Sequence, residues 1–192
     1  MKKTIRRQAV DILNSVSQNE SFAGNLIDTQ LDRKNLSGTA DGRLLTHLVY
    51  GVLRMRGHLD WILAQLYRGD YAGMQESVKN ILRTGLYQLK FSERLPAFAA
   101  VNEAVKIAKD TTPAAAALTN ALLRSYLRSP DKTFFPSLDE NSALHIAAFH
   151  SHPLWLVDLW LNVYGKEETL ALCRANNELP PMTVRTNNMK IS

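Results

Sequence analysis

Apolar residues recur every three or four positions along most of this chain, the spacing that places them on one side of an α-helix. In the first such segment, predicted over 4–16, that side comprises Ile5, Ala9, Ile12, Leu13 and Val16. The same spacing predicts further helices over 23–31, 42–56, 59–66 and 75–91. Gly51 lies inside the helix predicted over 42–56, at a cost of about 1 kcal/mol relative to alanine, so we expect close helix packing there. The pattern therefore predicts an all-α bundle.

A helical hairpin is predicted over 95–128, with a break just before Pro113. Proline suits the first turn of the second helix, because the N–H that it lacks would have no partner there. Val105 lies on the apolar side of the first helix and Leu122 on that of the second. We expect both to face Leu86, from the preceding helix, inside the core.

The composition changes at 129–141, where two prolines and two aspartates end the bundle and predict a linker. Short helices are predicted beyond it, over 143–149, 154–164 and 166–175. Residues 182–186 alternate between apolar and polar and predict one incipient strand. The bundle is thus followed by a short helical extension and the start of a strand.

Composition is that of a globular protein, with 45% hydrophobic and 21% charged residues among 192. A net charge of +5 and a pI near 9.4 are compatible with a nucleic-acid partner. The single cysteine excludes an internal disulfide and favours a reducing compartment. The basic start of the chain is not followed by the apolar segment of a signal peptide, and no apolar run approaches 18 residues. We therefore expect a cytoplasmic protein without a membrane span.

The cations that could contact RNA phosphates fall into four groups. They are Lys2, Lys3, Arg6 and Arg7; Arg54 and Arg56; Arg83; and Arg124 and Arg128. The first group lies at the N-terminal end of a helix, where positive charges oppose the helix dipole. Such charges serve either a partner, such as RNA phosphates, or only the solvation of the terminus, and the sequence leaves both open.

The hairpin sequence carries a resemblance to a known family. LPAFAAVNEAVKIAK followed by LTNALLRSYLR resembles the closing hairpin of the NusB-type RNA-binding domain. The version it resembles most is fused to bacterial ribosomal-RNA cytosine-C5 methyltransferases of the RsmB (Sun) type. The positions concerned are Pro96, Ala99, Ala100, Asn102, Glu103, Ala104, Val105, Asn120, Ala121, Leu123 and Arg124. The resemblance implies a NusB-like bundle and assigns RNA contact first to Arg6 and Arg7.

Two further segments carry the same resemblance. DGRLLTHLVYGVLRMRGHLDWILAQL looks like the methyltransferase-fused version of the domain. HSHPLWLVDLWLNVYGKEETLALCRANNELPPMTVRTN is similar to the segment that joins it to the catalytic half. The resemblance implies a NusB-like RNA-binding domain over 1–130, a linker over 131–142, and an incomplete start of the methyltransferase N-terminal subdomain over 143–192. It also implies that the chain is a fragment of a longer protein.

The chemistry of the family's reaction is missing from the sequence. The resemblance implies S-adenosylmethionine as cofactor of the full-length enzyme, held by a glycine-rich turn between strand and helix, and a cysteine nucleophile. The nine glycines form no such loop. Cys173 lies in a predicted helix and is interpreted as a semi-buried filler rather than a nucleophile. We expect no catalytic, cofactor-binding or metal residues here and no activity from the chain alone.

Other polar and aromatic residues receive structural interpretations. His145, His150 and His152 lack the spacing of a zinc site. Trp155, Trp160 and Tyr164 recur at roughly helical spacing and are interpreted as core rather than as a platform for bases. Asn102 and Asn120 lie in apolar surroundings, so we expect at least one to hold a neighbouring helix end or loop.

The function expected from these observations is RNA binding. The bundle would position a ribosomal-RNA methyltransferase on 16S ribosomal RNA, with the missing catalytic domain as its covalent partner. NusB-type bundles also act as protein-interaction modules in transcription antitermination, where a ribosomal protein is the partner, and this is the alternative. A helical module whose basic residues are merely solvated is a third possibility.

Overall fold

The computed structural model describes residues 3–19, 21–92, 95–179 and 183–185. Its helices are α1 (Ile5–Asn19), α2 (Ala23–Lys34), α3 (Ala40–Arg54), α4 (Arg56–Leu66), α5 (Glu76–Phe91), α6 (Ala97–Thr111), α7 (Ala116–Arg128), α8 (Ser142–His150) and α9 (Leu154–Asn177). Short 3-10 helices, Pro113–Ala115 and Pro130–Lys132, flank α7. The described ranges contain no strand, so the predicted all-α bundle is confirmed.

Helix α5 lies at the centre of the bundle and contacts α1, α3, α4, α6 and α7. Leu82 and Leu86 on α5 are fully buried. A Cβ added at Gly85 would lie 2.7 Å from a methyl carbon of Leu123 and 3.2 Å from Cβ of Ala104. The glycine therefore lets α6 and α7 approach α5 more closely than any side chain would allow.

The predicted meeting of Leu86, Val105 and Leu122 is only partly right. Leu86 and Leu122 are buried, but Val105 lies at the edge of the core. The side of α6 that enters the core instead presents Val101, Ala104, Ile107 and Ala108. The periodicity of the sequence predicts that one side of α6 is apolar. In the structure the centre of that side lies a fraction of a turn away from Val105.

The C-terminal extension packs on α4. Trp61 Nε1 donates to the Phe134 carbonyl over 2.8 Å, and the Phe134 N–H donates to Gln65 Oε1 over 2.9 Å. The Ser151 hydroxyl, at the end of α8, accepts from the Gly57 N–H over 2.9 Å and so caps the first turn of α4. The segment predicted as a linker is thus bound to the bundle along α4.

Helices α8 and α9 enclose a small second core. Ile146, Ala147, Val157 and Cys173 are buried in it, which confirms the interpretation of the cysteine as a filler. Gly165 interrupts α9 with φ 77° and ψ 178°, a conformation that favours glycine, and it separates the two helices predicted there.

Two interpretations of the extension and the hairpin are wrong. Trp155 and Tyr164 are 68% and 56% exposed, and only Trp160 contacts the small core, because α9 meets α8 on one side while its apolar residues surround the helix. Asn102 is exposed, and Asn120 accepts a hydrogen bond from Arg124 one turn away rather than from a neighbouring element. The polar side chain that does join helices is Asn80, described below.

The predicted strand over 182–186 falls largely outside the described residues. Of it the structure describes 183–185, which have no regular secondary structure, and Met182 and Thr186 lie outside. Within the described ranges, no helix has both the length and the apolar character needed to cross a membrane.

Candidate nucleic-acid interface

The cations at the start of α1 are paired with acids. Lys3 Nζ and Arg7 Nε each lie 2.8 Å from a carboxylate oxygen of Asp11. Lys3 and Arg7 also line an open depression beside α6 whose other charged residues are Glu103, Lys106 and Asp110. Lys3, Arg7 and Lys106 are thus balanced by three carboxylates, those of Asp11, Glu103 and Asp110, which leaves Arg6 as the cation at the start of α1 without an acidic partner among the described residues. Lys2 lies outside the described residues.

Arg6 joins two helices. Its Nε donates to Gln88 Oε1 on α5 over 2.6 Å, and Gln88 is buried. Gln88 Nε2 in turn donates to the Thr84 carbonyl over 3.0 Å. Arg6 is half-buried, and its bond to Gln88 joins α1 to α5. This structural role accounts for one of the cations at the start of α1.

Arg83 is buried, which argues against the RNA contact predicted for it. It is 2% exposed, and its guanidinium binds both carboxylate oxygens of Asp60, at 2.6 and 2.8 Å, together with Glu76 and Asn80. Burial opposes the charged form of Arg83, but these hydrogen bonds and the carboxylate charges outweigh it and raise its pKa. These bonds use four of the five N–H donors of the guanidinium, and its burial keeps it away from phosphates.

Asn80 extends this buried cluster to α1. Its Nδ2 donates to Asn14 Oδ1 over 2.9 Å and to the Ser17 hydroxyl over 3.3 Å. Arg56 closes the solvent side of the cluster, with Nη2 3.3 Å from Glu76 Oε1, and half of its side chain is exposed. Asp60 and Glu76, the acids that bind Arg83, also pair with Arg56. Because half of the Arg56 side chain is exposed, Arg56 can still contact a phosphate, although the two acids compete for it.

The other predicted arginines lie on two different surfaces. Arg124 and Arg128 are exposed on α7, and Arg124 Nε donates to Asn120 Oδ1 over 2.8 Å. Arg54 lies at the end of α3 and forms neither a hydrogen bond nor an ion pair with the described residues. The structure therefore separates Arg54 from the other predicted groups.

Arg54 stands where two open depressions meet, of about 660 Å³ and 380 Å³. Gly51, Arg54 and Tyr87 line both. We call the combined feature the Tyr87 groove. A Cβ at Gly51 would overlap the Tyr87 ring. Because residue 51 is a glycine, the phenol can lie across α3 and form the floor of the groove. The close packing predicted for Gly51 is confirmed.

Sequence reasoning missed three cations of the Tyr87 groove. Arg43 lines one depression, and Lys90 and Arg174 line the other. They belong to α3, α5 and α9, which are far apart in the chain. The sequence therefore shows no local cluster of cations that would predict this surface. Among the described residues that line the groove, Glu178 is the single carboxylate. Four cations therefore face one acid.

Aromatic side chains form the walls of the Tyr87 groove. Tyr50 lines one end and is 43% exposed, and Phe91 lines the other and is 38% exposed. Tyr87 lies between them, with its hydroxyl 3.3 Å from His47 Nε2 and its ring centroid 5.1 Å from that of Phe91. The groove thus combines partly exposed aromatic rings with a surplus of positive charge.

Two buried histidines border the groove in neutral form. His58 Nδ1 donates to the Phe149 carbonyl over 2.8 Å, and its Nε2 has no partner in the described part of the chain. Burial lowers the pKa of His58 to about 4, and Lys90 and His150 add to the effect. Burial, followed by the charge of Arg174, lowers the pKa of His150 to about 4. Burial therefore keeps both histidines neutral near pH 7, and the neighbouring cations act in the same direction.

The remaining histidines bind backbone groups. His145 Nδ1 lies 2.6 Å from the Pro136 carbonyl and His152 Nδ1 lies 2.7 Å from the His150 carbonyl. Among the described residues, no group of three or more histidine, cysteine or acidic side chains could hold a metal ion.

Two protein-family models and several named proteins match the sequence of this chain. The model of the NusB family matches residues 3–128, and that of the ferredoxin-like domain described as Methyltr_RsmF/B-like matches residues 152–192. A Synechocystis protein named probable ribosomal RNA small subunit methyltransferase B is 32% identical over 97% of this chain. Its Bacillus subtilis namesake is 36% identical over 99% of the chain. The chain spans 42% of the length of each of these two relatives.

Proposed function

Because the chain belongs to the NusB family, we propose that it is the RNA-binding domain of an S-adenosylmethionine-dependent ribosomal-RNA cytosine-C5 methyltransferase. In this role it positions the enzyme on 16S ribosomal RNA in the cytoplasm. The observation that carries the proposal is the order of the two matches, a NusB domain followed by a domain of methyltransferase type, as in relatives with that name.

The proposed division of the chain places the NusB-like domain over 1–130, a linker over 131–142 and an incomplete methyltransferase subdomain over 143–192. The contacts of Trp61 with the Phe134 carbonyl and of Gly57 with Ser151 hold the second part against α4. We therefore expect the linker to transmit orientation, so that RNA bound to the bundle is fixed relative to the domain that follows.

The described residues do not fit S-adenosylmethionine. A glycine-rich turn between a strand and a helix is the usual cradle of such a cofactor, and the described ranges have no strand. Cys173 is buried, and burial raises the pKa of its thiol, which is the opposite of what a nucleophile needs. No step of methyl transfer is assigned to these residues, and we expect the chain alone to be inactive.

The RNA contacts that we propose for the predicted residues use Lys2, Lys3, Arg6, Arg7, Arg54, Arg56, Arg124 and Arg128. At the start of α1, Asp11 competes with phosphates for Lys3 and Arg7. Asp11→Asn should therefore tighten RNA binding if these two cations contact phosphates, whereas Lys3→Gln with Arg7→Gln should weaken it. Neither change removes the bond between Arg6 and Gln88, so folding is preserved. Equal affinity of all three proteins would remove Lys3 and Arg7 from the interface.

The alternative function is a protein-interaction module in transcription antitermination. The ferredoxin-like match over 152–192 favours the methyltransferase role, because a bundle that acts alone would need nothing after α7. A ribosomal protein would be the partner in the alternative, and RNA would then bind weakly without it.

Filter-binding titrations separate the two functions. The purified chain is titrated against deproteinised 16S ribosomal RNA, with 23S ribosomal RNA as competitor, and separately against purified ribosomal proteins of the small subunit. The methyltransferase role predicts direct RNA binding with preference for 16S ribosomal RNA. A stoichiometric complex with one ribosomal protein, together with RNA binding only in its presence, would contradict it.

A further inference from the structure

We propose that the Tyr87 groove binds a short single-stranded segment of RNA, with phosphates on Arg43, Arg54, Lys90 and Arg174 and bases stacked on Tyr50 and Phe91. This inference rests on the RNA-binding function proposed above and names the surface that performs it. The main RNA contact would then lie at the junction of α3, α5 and α9 rather than at the start of α1.

Charge distinguishes the groove from the start of α1. Among described lining residues, the groove has four cations and one carboxylate, Glu178. The depression beside α1, together with Asp11, has equal numbers of both signs. RNA phosphates replace small cations at a protein surface, so affinity depends on cations that are not already paired.

The groove cations are available for phosphates. Arg54, Lys90 and Arg174 form no ion pair within the described ranges, and neither does Arg43, which uses one N–H on the Gly38 carbonyl at 2.8 Å. Lys90 Nζ lies over the Phe91 ring, 5.9 Å from its centroid, which keeps its charge at that end of the groove. Unpaired guanidinium groups around a groove suit an anionic chain better than they suit a neutral ligand.

The aromatic walls favour single strands over duplex. Ring faces can stack only on bases that have left a helix, and this contact accepts any base. Tyr50 and Phe91 are partly exposed at the two ends of the groove, with the Tyr87 ring between them. The larger depression has a volume within the range of about 300–1,000 Å³ that is typical of ligand sites.

An unpaired acceptor lies beneath the groove. His58 donates from Nδ1, so its Nε2 is an acceptor, and this buried nitrogen has no partner among the described residues. Solvent does not reach the nitrogen, so the groove cations and the aromatic rings carry the proposal.

The test compares variants with equal net charge. Arg54→Gln with Arg174→Gln removes two groove cations without breaking an ion pair or hydrogen bond in the described chain. The matched control is Arg68→Gln with Lys109→Gln, two exposed cations outside the groove. Each is titrated against a fluorescent 12-nucleotide single-stranded RNA and against a hairpin duplex, at two salt concentrations, with thermal melts as a check on folding.

The groove variant should bind the single strand on the order of tenfold more weakly, and its salt slope should fall by about 1.4, since each phosphate contact to a single strand contributes about 0.7. The control should change affinity by less than about twofold. Crosslinking of 4-thiouridine in the same RNA should label Tyr50 or Phe91 in the unmodified protein.

The outcomes separate this inference from the function on which it rests. If the unmodified chain binds RNA but the groove and control variants behave alike, or if crosslinks fall only on α1, the groove assignment is wrong and RNA binding stands. If the unmodified chain binds no RNA, both fail. Preferential binding of the hairpin duplex would also contradict the groove, because stacking on Tyr50 and Phe91 needs free bases.

Discussion

The phenol of Tyr87 lies across the backbone of Gly51, so that α3 and α5 touch at a point where any side chain would overlap the ring. This contact joins the packing of the bundle to the groove, since both residues line each of its two depressions. The glycine is therefore a structural requirement of the candidate RNA site as well as of the fold.

Gly51→Ala should destabilise the bundle. Overpacking costs about 1–3 kcal/mol, against a gain of about 1 kcal/mol from the better helix propensity of alanine. Urea denaturation measures the difference. In the background of Tyr87→Leu, where the ring is gone, the same alanine should cost less or even stabilise. A stabilising Gly51→Ala in the unmodified background would show that the ring moves away freely.

Arg83→Ala should destabilise the protein by about 3–5 kcal/mol, because Asp60 and Glu76 lose their buried partner. Arg56→Ala is the matched control, since half of that side chain is exposed and its pairs should contribute less than about 1 kcal/mol. Both are measured by urea denaturation. A small loss at Arg83 together with a large loss of RNA affinity would restore Arg83 to the interface.

Acid should weaken the fold through His58 and His150. The pKa of each is about 4 in the folded chain, below the ordinary value of 6.5, so the unfolded chain binds more protons between these values. Stability is therefore fully present above about pH 6.5 and falls as the pH drops towards 4, by up to about 3 kcal/mol for His58. Urea denaturation at pH 7.5 and 5 checks this. His58→Gln should reduce the pH dependence, and an unchanged dependence would contradict the assignment.

Leu86→Ala should cost about 2–5 kcal/mol because Leu86 is fully buried at the centre of α5. Val105→Ala should cost less, since Val105 lies at the edge of the core. Thermal melts of both variants test the placement of α6. Equal losses would mean that Val105 faces the centre after all.

Much of the bundle could be predicted from the sequence, because helical periodicity identifies which residues lie inward. α5 begins and ends within one residue of its prediction, and Gly165 divides α9 where two helices were expected. Periodicity cannot show which other helix, if any, covers a given apolar side of a helix. Trp155 belongs to an apolar stripe and is nevertheless exposed, because α8 covers the other side of α9.

The candidate site was harder to predict for a related reason. An arginine in the sequence is positive wherever it lies, so Arg83 in a buried ion cluster could not be told from Arg54 in a groove. Arg43, Lys90 and Arg174 come together only through the packing of three helices. The family resemblance directed attention to the start of α1, where Asp11 takes up the charge of two of the cations.

The central claim is that this chain binds ribosomal RNA through its cations. The most direct measurement is the affinity of the unmodified chain for deproteinised 16S ribosomal RNA across a series of salt concentrations. The account predicts direct binding, with log K falling linearly against log salt at a slope of roughly −3, the value for about four phosphate contacts at 0.7 each. Absence of binding at low salt, or binding that does not change with salt, would contradict it.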